Sequence, residues 1–200
     1  MLLKRLVNNM SEVKNILFVG VGGQGTILAS KLLSEGLMKH GYDVKMSEVH
    51  GMAQRGGSVT TQVRFGEKVY SPLIEKGKAD VIVAFEKSEA ARWVPYLKKG
   101  GYLVINDYEI HPVTVLIGKD KYPENINESL KSDVDNVIIV DAAKIAEDLG
   151  NIKAQNVVLL GALIKALGLE NLDWNEAIES IVPSKAVQLN KNALIEGMKA

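Results

Sequence analysis

The chain contains no cysteine, and that absence removes several classes of function at once. Disulfides, thiolate zinc sites, a cysteine nucleophile and an iron–sulfur cluster ligated by this chain are excluded, because each requires cysteine sulfur. Histidine is scarce as well: the three histidines are His40, His50 and His111, and no HExxH or other local ligand pair is present. We therefore expect no metal site in this chain.

A surplus of charge of one sign is also missing, because 24 basic and 24 acidic side chains cancel. A nucleic-acid or anionic-membrane surface needs a positive field to offset phosphates, so neither partner is expected. No apolar run reaches about 18 residues, the length that spans a bilayer. Residues 1–14 carry no long apolar region or cleavage pattern and are expected to form a tail or short helix. The protein is expected to be cytoplasmic.

The remaining pattern alternates strands with helices. Residues 16–19 form a continuous apolar run that enters a glycine turn, and the next run has helical spacing until Gly41 ends it. The pattern predicts a single domain over residues 1–200 of class α/β, a three-layer α/β/α Rossmann-like sandwich around a mixed sheet, with a helical C-terminal region. Strands are expected at residues 16–19, 43–49, 58–65, 69–74 (returning antiparallel), 80–85, 101–107, 111–118 and 136–142.

The first candidate binding feature is the glycine turn, residues 20–25, which follows a strand and opens a helix. Glycines permit positive φ and close approach, and free N–H groups at a helix start attract an anion. The turn is an imperfect GxGxxG in which Gly20, Gly22 and Gly25 fit the pattern, while Gly23 and Gln24 occupy the variable positions. The same turn could equally be a tight strand-to-helix corner or a subunit contact.

The second feature is the glycine-rich loop that begins at Glu48. In a dinucleotide-binding protein Glu48 would lie where an acidic residue binds a ribose. The residues that follow include His50, Gln54, Arg55 and Gly56, a combination that suits a surface for a charged ligand or a partner. The alternative is that Arg55 pairs with Glu48 and merely orders the loop.

Other polar residues follow the later strands. Asn106 ends the strand at residues 101–107 and is expected at the same carboxyl edge as the glycine turn, where α/β sheets place ligands. Glu89 and Arg92 lie three apart on a predicted helix and are expected to form a solvated ion pair. No Ser/His/Asp arrangement, close carboxylate pair or Walker lysine is recognisable, so the sequence shows binding chemistry and no catalytic residue.

The glycine turn together with the string EVHGMAQRGGSV (residues 48–59) resembles the gamma-type module of 2-oxoacid:ferredoxin oxidoreductases. More narrowly, the chain is similar to the beta subunits of indolepyruvate ferredoxin oxidoreductases. Supporting similarity runs through residues 63–106 and 182–199, so the resemblance covers nearly the whole chain from about residue 15 onward. The paired motifs carry this resemblance, and the glycine turn alone would not.

The resemblance implies a complex in which a large subunit carries thiamine diphosphate and iron–sulfur clusters, while this chain alone holds no cofactor. Such a complex, of expected composition α2β2, decarboxylates an aryl 2-oxoacid, transfers the acyl group to coenzyme A and reduces ferredoxin. By the same resemblance, the interface or ligand cleft would be lined by Gly22, Gly23, Gln24, Gly25, Glu48, His50, Gln54 and Arg55.

Three alternatives remain open at this point. The chain could serve a complex for pyruvate or a branched-chain 2-oxoacid. It could be a free-standing NAD(P)-binding module that uses Glu48 for the ribose, or a scaffold whose second loop only docks a partner.

Overall fold

A computed structural model describes residues 12–50 and 56–200 of the chain, except for the side chain of His50. In this part of the chain one sheet has the strand order β2-β3-β1-β4-β5-β6. Strands β1, β4, β5 and β6 run parallel, while β3 is antiparallel to both β1 and β2, so the predicted mixed sheet is confirmed. The strands are β1 (Lys14–Val21), β2 (Asp43–His50), β3 (Ser58–Gly66), β4 (Ala79–Ala84), β5 (Leu97–Asn106) and β6 (Asn136–Val140).

Neighbouring residues of the buried strands point to opposite sides of the sheet, so both faces are apolar. Helices cover both of these faces. On β1, Ile16 and Phe18 pack on one side and Leu17 and Val19 on the other. The described helices are α1 (Thr26–Lys39), α2 (Lys87–Trp93), α3 (Val113–Leu116), α4 (Ile126–Asp133), α5 (Ala142–Asp148), α6 (Gln155–Leu167), α7 (Asn175–Ile181) and α8 (Val187–Gly197).

The two helical layers are unequal in size. Helices α1, α5, α6, α7 and α8 contribute to the core on the Phe18 side, while α2, α4 and Ile74 contribute to the core on the Leu17 side. The predicted three-layer α/β/α arrangement and the helical C-terminal region are thereby confirmed. None of the helices within residues 12–50 and 56–200 has both the length and the apolar character needed to cross a membrane.

Two strand predictions were wrong. Residues 69–74 are not a strand of the sheet but an irregular segment, whose backbone groups bond to side chains of the neighbouring strands. The Ile74 N–H donates to Gln62 Oε1 at 2.6 Å, and Arg64 Nη1 donates to the Ser71 carbonyl at 2.8 Å. Within the predicted strand at residues 111–118, the structure has the short helix α3.

Helices α6 and α8 cross with their backbones in close contact at two glycines. A Cβ built on Gly197 would lie 1.9 Å from the Val158 carbonyl oxygen, and one built on Gly161 would lie 2.3 Å from the Leu194 carbonyl oxygen. No side chain larger than hydrogen fits at either position without separating the helices. This contact fixes the last described helix against the buried helix α6.

Candidate functional site at the carboxyl edge of the sheet

The glycine turn has the backbone geometry that the sequence predicts. Strand β1 runs into it, and α1 begins at Thr26 with Gly25 as its N-cap in a left-handed conformation, φ +83°. Gly23 also has a positive φ, +105°, at which any residue with a side chain would be strained. The N-cap residue of α1 provides no side-chain acceptor for the first N–H groups of the helix, where the positive end of the helix dipole lies.

The glycines of this turn have two kinds of surroundings: some leave no room for a side chain, and one has open space where a side chain would be. A Cβ on Gly20 would lie 2.9 Å from Phe85 Cβ, and a Cβ on Gly25 would lie 2.4 Å from Asn156 Nδ2. A Cβ on Gly23, by contrast, would meet nothing within 4 Å. Gly20 and Gly25 therefore serve close packing, while the exposed Gly23 leaves bare backbone that a ligand or partner can approach.

The Gln24 side chain joins the glycine turn to the neighbouring strand. Its Oε1 accepts a hydrogen bond from the Val21 N–H at 2.8 Å, and its Nε2 donates to the Phe85 carbonyl at 2.8 Å. Phe85 directly follows β4, the parallel neighbour of β1. Gln24 thus spans the gap between two parallel strands and holds the shape of the turn.

The two glycine motifs of the sequence lie side by side. The Gly22 N–H donates to the Gly57 carbonyl at 2.9 Å, and the Gly56 N–H donates to the Gly22 carbonyl at 3.5 Å. Gly56 has a φ of +78°, and a Cβ built on it would meet nothing within 4 Å. Two open glycines, Gly23 and Gly56, are therefore presented by adjacent loops at one edge of the sheet.

The remaining residues predicted in the second loop are only partly described. Glu48 lies on β2 opposite Thr61 and is partly buried, and His50 ends the strand opposite Val59. Gln54, Arg55 and the side chain of His50 lie outside the described residues. Both predictions for Arg55, that it binds a ligand and that it pairs with Glu48, therefore stay predictions.

Asn106 lies beneath this edge and is completely buried. Its Nδ2 donates to the Phe85 carbonyl and to Gln155 Oε1, each at 3.2 Å, and its Oδ1 accepts from the Ala142 N–H at 3.2 Å. Asn106 and Gln24 therefore share the Phe85 carbonyl as acceptor. Asn106 connects β5 to β4, α5 and α6, and a direct contact with a cofactor stays a prediction.

Two carboxylates next to this edge, those of Glu86 and Glu89, are buried, and the sequence did not predict their burial. Glu86 caps α2 by accepting from the N–H groups of Ser88 and Glu89, and it also accepts from the Tyr122 hydroxyl at 3.0 Å. Burial, together with the Glu86 carboxylate, raises the pKa of Tyr122. A glutamate directly before a helix start was the available signal for the cap, and nothing local indicated the Tyr122 bond.

The expected ion pair between Glu89 and Arg92 exists, but it is not solvated on both sides. Arg92 Nε lies 3.0 Å from Glu89 Oε1, with the Arg92 side chain 62% exposed and the Glu89 side chain 4% exposed. Glu89 is buried because two further groups donate to it, Trp93 Nε1 at 3.1 Å and the Ser58 hydroxyl at 2.5 Å. A buried glutamate needs such partners, and Ser58 is too distant in sequence for local spacing to reveal it.

The described part of this edge therefore offers mainly backbone groups to a ligand or partner. Across the described part of the chain, no group of three or more His, Asp or Glu residues is arranged to hold a metal ion. The two open glycines and the uncapped start of α1 suit an anionic group, as the sequence predicted for the glycine turn. No described feature of this edge is by itself a catalytic apparatus.

Comparison with known proteins agrees with this architecture. A family model described as pyruvate ferredoxin/flavodoxin oxidoreductase matches residues 15–200. An indolepyruvate oxidoreductase subunit IorB from Pyrococcus horikoshii is 44% identical over 191 residues, which cover 93% of this chain and 95% of that protein. A pyruvate/ketoisovalerate oxidoreductases common subunit gamma from Thermococcus kodakarensis is 29% identical over 184 residues, which cover 90% of this chain and 93% of that protein.

A solved structure shows the same fold. The pyruvate oxidoreductase subunit PORC from Thermotoga maritima superposes with a TM-score of 0.71 at 23% identity, over 94% of this chain and 97% of that one. The family model spans nearly the whole chain, and the relative at 44% identity is matched over almost its full length. The chain accordingly belongs to the pyruvate ferredoxin/flavodoxin oxidoreductase family.

Proposed function

We propose that this chain is the small subunit of an indolepyruvate:ferredoxin oxidoreductase and acts in complex with a large catalytic subunit. The observation that carries this proposal is the difference in identity between two groups of relatives. Identity is 44% to a curated indolepyruvate oxidoreductase subunit and 29% to a curated pyruvate/ketoisovalerate gamma subunit, over similar lengths of the chain. We expect an α2β2 complex in the cytoplasm, with no nucleic-acid or membrane partner.

The proposed reaction divides its chemistry between the subunits. An aryl 2-oxoacid loses carbon dioxide, the remaining acyl group forms a thioester with coenzyme A, and the two electrons released reduce two ferredoxins by one electron each. Thiamine diphosphate and iron–sulfur clusters would supply the carbanion and electron-transfer chemistry from the large subunit. This chain has no cysteine and supplies no thiolate ligand to such a cluster.

The contribution of this chain would be to bind a phosphate-bearing part of coenzyme A at the subunit interface. Gly23 and Gly56 offer open backbone, and the start of α1 offers uncapped N–H groups beside them. We include Arg55 in this site because guanidinium binds phosphate with two parallel hydrogen bonds. Gln24 and Asn106 would hold the two strands beneath the site in position.

The complex as a whole is tested by co-expression with the adjacent large-subunit gene and purification through a tag on this chain. We expect a brown complex that reduces ferredoxin or viologen with indolepyruvate, and only when coenzyme A is present. A complex that prefers pyruvate or a branched-chain acid would move the chain to another branch of the family. A colourless chain that purifies alone, and whose melting temperature rises with NAD(H), would favour the dinucleotide-binding alternative.

The binding site is tested with paired glycine variants. Gly23→Ala should raise the KM for coenzyme A, because the added methyl group occupies the open approach to the turn. Gly41→Ala is the matched control, since Gly41 also has a positive φ, +84°, with nothing within 4 Å, but ends α1 at the opposite end from the turn. Both variants should lose about 1 kcal/mol of stability, so only the KM separates them.

Arg55→Ala provides a second test of the same site, with a rise in the KM for coenzyme A as the expected result. An unchanged KM would contradict the phosphate role of Arg55. Loop variants that assemble normally with the large subunit yet lose turnover would exclude the scaffold alternative, in which the second loop only docks a partner.

A further inference from the structure

Helix α3 and the residue after it present apolar side chains to solvent. Val113 is 71% exposed, Leu116 70% and Ile117 58%, and we call these three residues the α3 patch. Single exposed apolar residues are ordinary on protein surfaces, whereas three exposed apolar residues within five positions suit a binding surface. Residues 111–118 were predicted as a strand, and in the part of the chain that the structure describes the three apolar side chains belong to no buried core.

The segment that carries the α3 patch is held in place by hydrogen bonds and ring stacking. The Tyr108 carbonyl accepts from the Lys87 N–H at 3.0 Å, and the Thr114 carbonyl accepts from the Lys119 N–H at 2.8 Å. The His111 ring stacks on Tyr122 with a centroid distance of 4.9 Å. The exposed apolar side chains therefore stand on an ordered support, as a docking surface requires.

An acidic cleft of about 610 Å³ adjoins this patch at His111. Among the described residues, four carboxylates and one lysine line it, and this lysine, Lys87, lies 2.8 Å from Asp107 and 3.0 Å from Glu109. Lys119 and Lys121 follow α3 but do not line the cleft. The acidic lining residues are Asp107, Glu109, Glu124 and Glu128.

The cleft and the α3 patch lie on the same edge of the sheet as the glycine turn. Lys87 follows β4 and Asp107 follows β5, and both strands are parallel to β1, which leads into the turn. A molecule large enough to cover the glycine turn and extend along this edge would therefore reach the α3 patch as well.

We propose that the α3 patch and the acidic cleft together dock the large catalytic subunit, through a segment in which Lys or Arg side chains stand next to apolar side chains. This inference rests on the proposed function, which supplies the large subunit. Apolar contact would provide the affinity, and the cleft would select a basic segment by charge complementarity. A second copy of this chain fits less well, because a two-fold contact would place one acidic cleft against another.

The test uses the co-expressed complex and a tag on this chain. Leu116→Glu combined with Ile117→Glu should reduce the copurified large subunit about tenfold or more, while the unfolding of the isolated chain stays unchanged. Ile195→Glu, at a residue of α8 that is 52% exposed, is the matched control and should assemble normally. Glu124→Lys combined with Glu128→Lys should also weaken assembly and reduce its dependence on salt.

The outcomes separate this inference from the proposed function. Normal assembly of the Leu116/Ile117 variant would overturn the inference and leave the proposed function standing. Failure of the wild-type chain to copurify the large subunit would overturn both. An isolated chain that sediments as a dimer, and becomes a monomer in the Leu116/Ile117 variant, would assign the α3 patch to a second copy and overturn the partner proposed here.

Discussion

The Ser58 hydroxyl donates a hydrogen bond of 2.5 Å to the Glu89 carboxylate, across 31 positions of the sequence. Ser58 begins β3 directly after the second loop, and Glu89 lies in the first turn of α2, which follows β4. Glu89 also accepts from Trp93 Nε1 and pairs with Arg92. The end of the second loop is thereby fixed to a helix on the Leu17 side of the sheet.

Ser58→Ala should lower the free energy of unfolding by about 1 kcal/mol, because a buried carboxylate loses one of its donors. In the assembled complex the same variant should raise the KM for coenzyme A, since Gly56 and Gly57 lose their fixed position beside Gly22. Urea unfolding and steady-state kinetics measure the two effects. Arg92→Ala is the control, and its exposed guanidinium should contribute less than about 1 kcal/mol. Equal effects of the two variants would contradict a specific role for Ser58.

Gln24→Leu should destabilise the chain by about 1–3 kcal/mol, because the Val21 N–H loses its acceptor and the Phe85 carbonyl loses a donor. Gln24→Glu keeps the acceptor for the Val21 N–H and loses the donor to Phe85, so its loss should differ from that of the leucine variant. Chemical denaturation of the isolated chain provides the comparison. A leucine variant as stable as the wild type would show that the two hydrogen bonds of the Gln24 side chain make no net contribution to stability.

Gly197→Ala should cost about 2 kcal/mol of stability even though alanine favours a helix by about 1 kcal/mol. The reason is the contact with the Val158 carbonyl oxygen, which a methyl group at position 197 cannot avoid unless α6 and α8 move apart. Lys165→Ala, at an exposed position of α6, should stay within about 0.5 kcal/mol of the wild type. Thermal and urea unfolding of the isolated chain test both substitutions, and a stabilised Gly197→Ala chain would contradict the close crossing.

The stability of the chain should depend on pH through the charged groups of the acidic cleft. Hydrogen bonds from Lys87 lower the pKa of Asp107 and of Glu109, and bonds to the same two carboxylates raise the pKa of Lys87. A carboxyl with a lowered folded pKa stabilises the fold above its unfolded pKa of about 4 and loses that stabilisation as the pH falls through the folded value. The raised lysine pKa contributes below about pH 10 and is lost at higher pH.

Lys87→Met should therefore destabilise the chain near neutral pH and have less effect in acid. The loss at pH 7 should be at most about 1 kcal/mol, because both carboxylates are about two-fifths exposed. Unfolding curves of the variant and the wild type between pH 3 and about pH 7 measure the difference, which should shrink below about pH 4. A difference that does not change with pH would show that Lys87 acts by packing.

Most strands and the C-terminal helices were predictable, because the spacing of apolar residues within each segment indicates the type of secondary structure. The continuous apolar runs of β1 and β4 indicate burial on both faces of the sheet, and both strands are buried on both faces. The two wrong strands had the same apolar character but different surroundings. Residues 69–74 bond to the side chains of Asp43, Gln62 and Arg64, while the side chains of Val113, Leu116 and Ile117 are exposed. The tertiary contacts of these two segments cannot be derived from the pattern of apolar residues within them.

The position of the glycine turn was predictable, and the hydrogen bonds around it were not. A glycine turn after a buried strand indicated the carboxyl edge of the sheet, and the structure places the turn there. The hydrogen bond between Gly22 and Gly57, by contrast, depends on β3 pairing with β1 in an antiparallel register that no local signal specifies. The burial of Glu86 and Glu89 likewise depends on donors from Tyr122 and Ser58, which are distant in sequence.

The glycine crossing of α6 and α8 has a consequence for synthesis. Val158 and Gly161 lie in α6, and their contact residues Leu194 and Gly197 lie in α8, which is synthesised after α6. At a translation speed of about 5–20 residues per second, the interval between residues 161 and 197 lasts roughly 2–7 seconds. During this interval the nascent α6 lacks the cover that α8 provides, so its apolar side chains are open to aggregation or to a chaperone.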